Sequence, residues 1–141
     1  MAHERVDPDE AGLPELFWAV ARRLRHASKQ DLARWDISPS QSRALMVLAR
    51  HDRLRLNELS EHLRIAPRST TEVVDALEAK GLIERRPDAR DRRATLATLT
   101  AAGQALVGEL HRAQARATAA LFEPLSAADR DRLAAILRSL A

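Results

Sequence analysis

Cysteine is absent from the 141 residues, which excludes disulfides, thiolate zinc sites and sensing by thiol oxidation. Tyrosine is absent too, and the 3% aromatic content rests on Phe17, Trp18, Trp35 and Phe122. The apolar content is therefore carried by Ala and Leu, which favour helix over strand. Glycine is scarce, at 12, 81, 103 and 108 only. No Gly-rich phosphate loop, G-x-S-x-G elbow or H-E-x-x-H pair exists, so no enzyme is expected. No apolar run approaches the roughly 18 residues that span a bilayer. The opening MAHERVDPDEAG lacks an apolar h-region, so a cytoplasmic protein without a signal peptide or membrane contact is expected. Lysine is nearly missing: of 23 basic residues, all but Lys29 and Lys80 are arginine. The length fits one compact domain, or a small domain with an assembly element.

Net charge is only +3, but it is unevenly placed. Residues 1–16 hold Glu4, Asp7, Asp9, Glu10 and Glu15 against Arg5. Arg85, Arg86, Arg90, Arg92 and Arg93 crowd together, against Asp88 and Asp91. A basic spot on a near-neutral body suits a nucleic-acid partner.

Periodicity supplies the organisation. Leu13, Leu16, Phe17, Val20, Leu24 and Ala27 predict an amphipathic helix over 13–34. Ser38 is the expected N-cap of a second helix, 39–50, with Pro39 at its first position. Residues 53–56 alternate as a short strand, 57–63 read as a short helix, and 65–67 as a turn. Pro67 opens a helix to 80, closed by Gly81. Strands are predicted at 82–85 and 95–99, joined by a turn-rich tip at 87–91. Thr100 caps a helix over 101–121, with Leu106, Leu110, Ala113 and Ala117 on one face. Ser126 with Asp129 opens the last helix, 127–140, which carries Leu133, Ile136, Leu137 and Leu140.

Two short helices and a hairpin with an Arg-rich tip make a winged helix-turn-helix. The fold class expected is mainly α (α+β), with the winged helix-turn-helix at 37–99 and helical dimerisation regions at 1–36 and 100–141. The helix at 67–80 turns Thr70, Val73, Val74 and Leu77 inward and presents Arg68, Ser69, Thr71 and Glu72. Arginine spans two guanine acceptors, and hydroxyls reach bases or phosphates. Arg90 and Arg92 suit a narrow A·T-rich minor groove. Alternatives stand beside these readings. The tip is a binder, or a solvated turn salt-bridged to Asp88 and Asp91. Asp91 with Arg93 stiffens the wing. Ser69 and Thr71 contact DNA, or cap the helix start. Glu72 accepts from cytosine N4, or faces solvent.

The stretch 63–100, LRIAPRSTTEVVDALEAKGLIERRPDARDRRATLATLT, resembles the MarR family of bacterial transcriptional regulators. The matching pieces are SPSQ at 38–41, LNELSEHL at 56–63, VVDALEAKGLIERR at 73–86, DARDRR at 88–93 and LTAAG at 99–103. The D-x-R-D-x-R pattern falls on Asp88, Arg90, Asp91 and Arg93, and the likeness covers nearly the whole chain. It implies a homodimer on a pseudo-palindromic double-stranded DNA operator, acting as a repressor and released by a small-molecule effector. Wing residues Arg90, Arg92 and Arg93 and the start of the 67–80 helix would touch DNA. Glu72 and Ala76 stand where many members carry a basic residue, which shifts weight onto Arg68 and the wing.

The terminal helices have apolar faces that a small winged helix does not cover, so Leu13, Leu16, Leu110, Leu133, Leu137 and Leu140 are the expected dimer contacts. The resemblance places an effector in a cleft lined by the first two helices, with Phe17, Trp18, Val20, Arg22, Trp35 and Arg43 as candidates and a small aromatic or anionic molecule as the ligand class. Hinge or dimer packing is the other reading of both tryptophans. No metal or cofactor is expected. His51-Asp52 and Glu61-His62 read as pairs on different sides, and Glu58/His62 as a surface salt pair. A winged-helix protein-interaction module without operator binding is the competing function.

Overall fold

The structure, a computed structural model, describes residues 11–141; the acidic segment 1–10 lies outside the described residues. The elements are α1 (Leu13–Arg34), α2 (Pro39–His51), β1 (Arg53–Arg55), α3 (Leu56–Leu63), α4 (Pro67–Ala79), β2 (Ile83–Pro87), β3 (Thr95–Leu99), α5 (Ala101–Phe122) and α6 (Ala127–Leu140). Among the described residues, no helix is long and apolar enough to cross a membrane. The chain forms two compact units, 29–113 and 1–28 with 114–141.

Local chemistry sets the element ends in the 29–113 unit. Ser38 Oγ accepts the Gln41 amide at 3.1 Å, and Gln41 Oε1 accepts the Ser38 amide at 3.1 Å. This reciprocal box fixes the start of α2, with Pro39 supplying a preset φ. Pro67 does the same for α4. Gly81 adopts φ +72°, and the Leu82 amide returns to the Leu77 carbonyl at 3.0 Å. That is a Schellman close, which glycine makes without Cβ strain.

The three strands form one antiparallel sheet, ordered β1-β3-β2. Register pairs Leu54 with Ala97, and Ile83 with Leu99. Alternation turns Leu54 and Ala97 inward, onto Leu45, Leu48, Leu59, Leu63, Val74 and Leu77. β2 runs two residues beyond the predicted 82–85, ending at Pro87 opposite Thr95. Being at the sheet edge, it tolerates a residue with no amide to donate. Two buried hydroxyls lock α3 to α4: Ser60 Oγ lies 2.8 Å from Thr70 Oγ1, and Thr70 Oγ1 donates to the Ala66 carbonyl at 3.3 Å. Gly103 lets α5 meet the loop before β2, since a Cβ there would lie 2.1 Å from the Leu82 carbonyl oxygen.

One expectation changes. Leu110, predicted as a dimer contact, is 4% exposed and belongs to the core of the 29–113 unit. A stripe at helical spacing marks an apolar face without saying whose surface it meets.

The other unit has no buried residue among those described. Leu13 is 81% exposed and Leu140 78%. Leu16, Phe17, Trp18, Val20, Ile136 and Leu137 are exposed as well, and Leu133 is half-buried. Its α5–α6 corner is nonetheless ordered. Ser126 Oγ caps α6 through the Asp129 amide at 3.1 Å. The Arg130 guanidinium donates to the carbonyls of Phe122 and Glu123 at 3.1 and 3.0 Å.

Candidate nucleic-acid interface

The first turn of α4 is bare. Its N-cap is Ala66, with no side-chain acceptor, so no side chain covers the amides that open the helix. Arg68, Ser69, Thr71 and Glu72 are all exposed, whereas Thr70, Val74 and Leu77 are buried. Neither hydroxyl caps the helix: Thr71 Oγ1 donates back to the Pro67 carbonyl at 3.1 Å. Glu72 is not a lone solvent-facing acid. Its Oε1 lies 3.8 Å from Arg68 Nε, a loose pair between exposed groups that contributes little.

The wing divides its arginines by role. Arg85 is structural: it bonds Asp75 at 2.7 Å and forks onto Glu78 at 3.1 and 3.3 Å, tying α4 to β2. The Glu78 hydrogen bond raises the Arg85 pKa above its ordinary value. Arg86 pairs with Glu84 at 2.9 Å. Arg90, Arg92 and Arg93 are exposed and form no ion pair among the described residues. The two tip acids do other work. Asp91 Oδ1 accepts the Arg93 backbone amide at 3.1 Å, and its carbonyl accepts the Ala94 amide at 2.9 Å. Asp88 is 6% exposed. Its Oδ1 accepts the Arg90 amide at 2.9 Å, and its own amide donates to the Ala94 carbonyl at 3.0 Å. The turn is therefore held by bonds to backbone amides, and the tip guanidinia stay outside any ion pair among the described residues.

Asp88 has a partner that sequence reading missed. Arg55, on β1, donates to Asp88 Oδ2 through Nε at 2.7 Å and Nη2 at 2.6 Å. The Arg90 amide holds the Asp88 carboxyl below its ordinary value; burial opposes this, and the Arg55 hydrogen bond and charge support it. The alternating pattern of residues 53–56 marked Arg55 only as strand, and its partner lies 33 positions away.

The proposed effector residues fall in both units. Phe17 and Trp18 meet edge to face, with ring centroids 5.5 Å apart. Val20 and Arg22 are exposed on the same helix. Trp35 packs on the 29–113 core, with the Arg34 guanidinium 5.7 Å from its centroid. Arg43 is engaged, donating to the Leu63 carbonyl at 2.8 Å at the end of α3.

The histidines also differ from expectation. His51 and His62 do not diverge: their rings meet at a 34° tilt with centroids 4.4 Å apart. Glu58, the predicted partner of His62, instead accepts the Arg55 amide at 2.7 Å. Among the described residues, no group of three or more His, Cys, Asp or Glu could hold a metal ion.

Comparison with known proteins converges on this architecture. The MarR family model matches residues 35–94, which contain α2 to α4, β2 and the wing. The HTH-type transcriptional repressor MdtR of Bacillus subtilis is 28% identical over 85 residues, covering 60% of this chain and 55% of that protein. The match thus spans about half the length of that relative. A mutant MepR of S. aureus superposes with a TM-score of 0.87 at 26% identity, covering 92% of this chain and 96% of the other. A second MepR mutant, bound to an oligodeoxyribonucleotide, gives 0.77 at 26% identity over 93% and 96%. In its winged helix-turn-helix and arginine-tipped hairpin, this chain is similar to proteins of the MarR family, whose model matches residues 35–94.

Proposed function

We propose that this chain is a DNA-binding transcriptional regulator, a repressor that holds a pseudo-palindromic operator as a homodimer. The carrying observation is the wing: Arg90, Arg92 and Arg93 stand exposed and without ion pairs among the described residues on a turn closed by Asp88 and Asp91. Arginines so placed suit the negative potential of a narrow minor groove. The bare start of α4 offers amides, Arg68 and Ser69 to phosphates and base edges. The MepR complex with an oligodeoxyribonucleotide supports this class of partner.

In this reading, residues 37–99 bind DNA while 1–36 and 100–141 dimerise. The exposed Leu13, Leu16, Leu137 and Leu140 supply apolar surface for a second copy. A two-fold dimer spaces its recognition helices about 34–36 Å apart, one DNA turn. A ligand favouring another spacing would release the operator by linkage. Phe17, Trp18 and Arg22 on α1 suit a small aromatic carboxylate. Acting on bacterial DNA, the protein would work in the cytoplasm.

A salt titration tests the reading. Duplex affinity should fall on a log–log plot with a slope of about −0.9 per phosphate neutralised. The second reading, a protein-interaction module, is favoured by the Arg68–Glu72 pair, which offsets charge at the helix start. No affinity for any duplex at low salt would select it.

A further inference from the structure

We propose that Arg55 is the positioning residue of the wing: by clamping Asp88 it fixes the hairpin tip against the start of α3, and so aims Arg90 and Arg92. The inference rests on the DNA-binding reading above.

Arg55 occupies the N-cap of α3, where Ser, Thr, Asp or Asn ordinarily supplies an acceptor. Its guanidinium has no acceptor to give. The cap is made from the other side, by Glu58 Oε2 accepting the Arg55 amide at 2.7 Å. This frees the guanidinium to reach Asp88, where Nε and Nη2 both donate to Oδ2 at 2.7 and 2.6 Å.

Asp88 then joins three segments, two through its carboxylate and one through its amide. Oδ2 takes Arg55 and with it the start of the helix-turn-helix; Oδ1 takes the Arg90 amide on the outgoing arm; and the Asp88 amide takes Ala94 on the returning arm. The bonds to Arg90 and Ala94 lie within the turn and set its shape. Of these three bonds, the one to Arg55 crosses from the hairpin loop to another element, so it constrains tilt. Removing it takes the ion-pair partner from a nearly buried carboxylate, which favours movement of the wing toward water. Arg92, a long side chain at the tip, registers any such tilt. Lysine at 55 would restore charge but not the two-donor fork.

The test measures affinity for an A·T-rich duplex at low salt. It compares the full chain, Arg92→Ala, Arg55→Ala, the double variant, and Arg55→Lys with and without Arg92→Ala. Amide hydrogen exchange of residues 88–94 is followed without DNA. Arg92→Ala should cost about tenfold in the native background, under about threefold beside Arg55→Ala, and an intermediate factor beside Arg55→Lys. Exchange at 88–94 should quicken in Arg55→Ala while α2 stays protected. An equal Arg92 penalty in both backgrounds overturns the proposal, since Arg55 would then serve the fold alone. Unchanged exchange at 88–94 overturns it too. If Arg55→Ala also loosens α2, Asp88→Asn replaces it and the same two readings decide. A native chain that binds no duplex overturns the DNA-binding reading instead, and the exchange result then decides the clamp by itself.

Discussion

The two compact units treat apolar surface in opposite ways. In the 29–113 unit, Leu45, Leu48, Leu59 and Leu77 are fully buried, and side-chain bonds such as Ser60–Thr70 and Arg85–Glu78 link its elements. In the unit of 1–28 and 114–141, no described residue is buried, yet Leu13, Phe17, Trp18 and Leu140 lie exposed. The first closes its core within one chain and can present a polar, charged working face. The second spends its apolar residues on surface that a single chain leaves wet. Burying such surface is favourable by roughly 25 cal/mol per Å², which is the physical case for a second copy.

That contrast can be broken most forcefully at Leu110. Leu110→Asp places an unpaired carboxylate in the core and should cost about 4 kcal/mol or more, read as loss of the cooperative denaturant transition. If the variant melts like the native chain and alters only its size in solution, Leu110 is not core. The same charge in the other unit should behave differently. Leu137→Asp with Leu140→Asp should weaken self-association by about 100-fold while leaving helix-turn-helix amides as protected as before; sedimentation across a concentration series reads this. A native chain already monomeric at micromolar concentration would remove the need for a partner.

Smaller effects sharpen the division inside the 29–113 unit. Arg90→Ala and Arg92→Ala should each flatten the salt dependence by about 0.9 in slope with little change in melting. Arg85→Ala, which breaks the link of α4 to β2, should lower the melting point first. The smallest effect is acidic. Because the Arg90 amide, with Arg55 in support, holds Asp88 below its ordinary value, its stabilisation is complete above the unfolded pKa and is lost as pH falls through the folded one. Wing order, followed by exchange or relaxation at 88–94, should therefore be constant near neutrality and decline below the ordinary carboxylate range. Asp88→Asn should abolish that decline.

Much of the fold was legible along the chain. Ser38, Pro39, Pro67, Gly81 and Ser126 act on residues one to five positions away, so their caps and stops follow from local spacing. Most predicted element ends fall within one or two residues of those observed. The wing's arginine count was visible too, but not its division. Arg85 and Arg90 look alike in a string, and only the placement of Asp75 and Glu78 on α4 separates a structural guanidinium from an exposed one. Arg43 lay hidden for the same reason, its acceptor being a backbone carbonyl 20 residues away.

By itself the sequence determined a helical chain with a small hairpin, free of thiol chemistry, with arginine-rich and hydroxyl-bearing turns set between amphipathic segments. These properties depend on composition and on bonds that close within one turn of chain. Tertiary structure decided which apolar stripe is core, which acid neutralises which arginine, and that Arg55 meets Asp88 at all. Those outcomes depend on strand register and helix packing, which bring distant residues within a few ångströms, and burial and Coulomb energies act over that distance rather than over sequence separation.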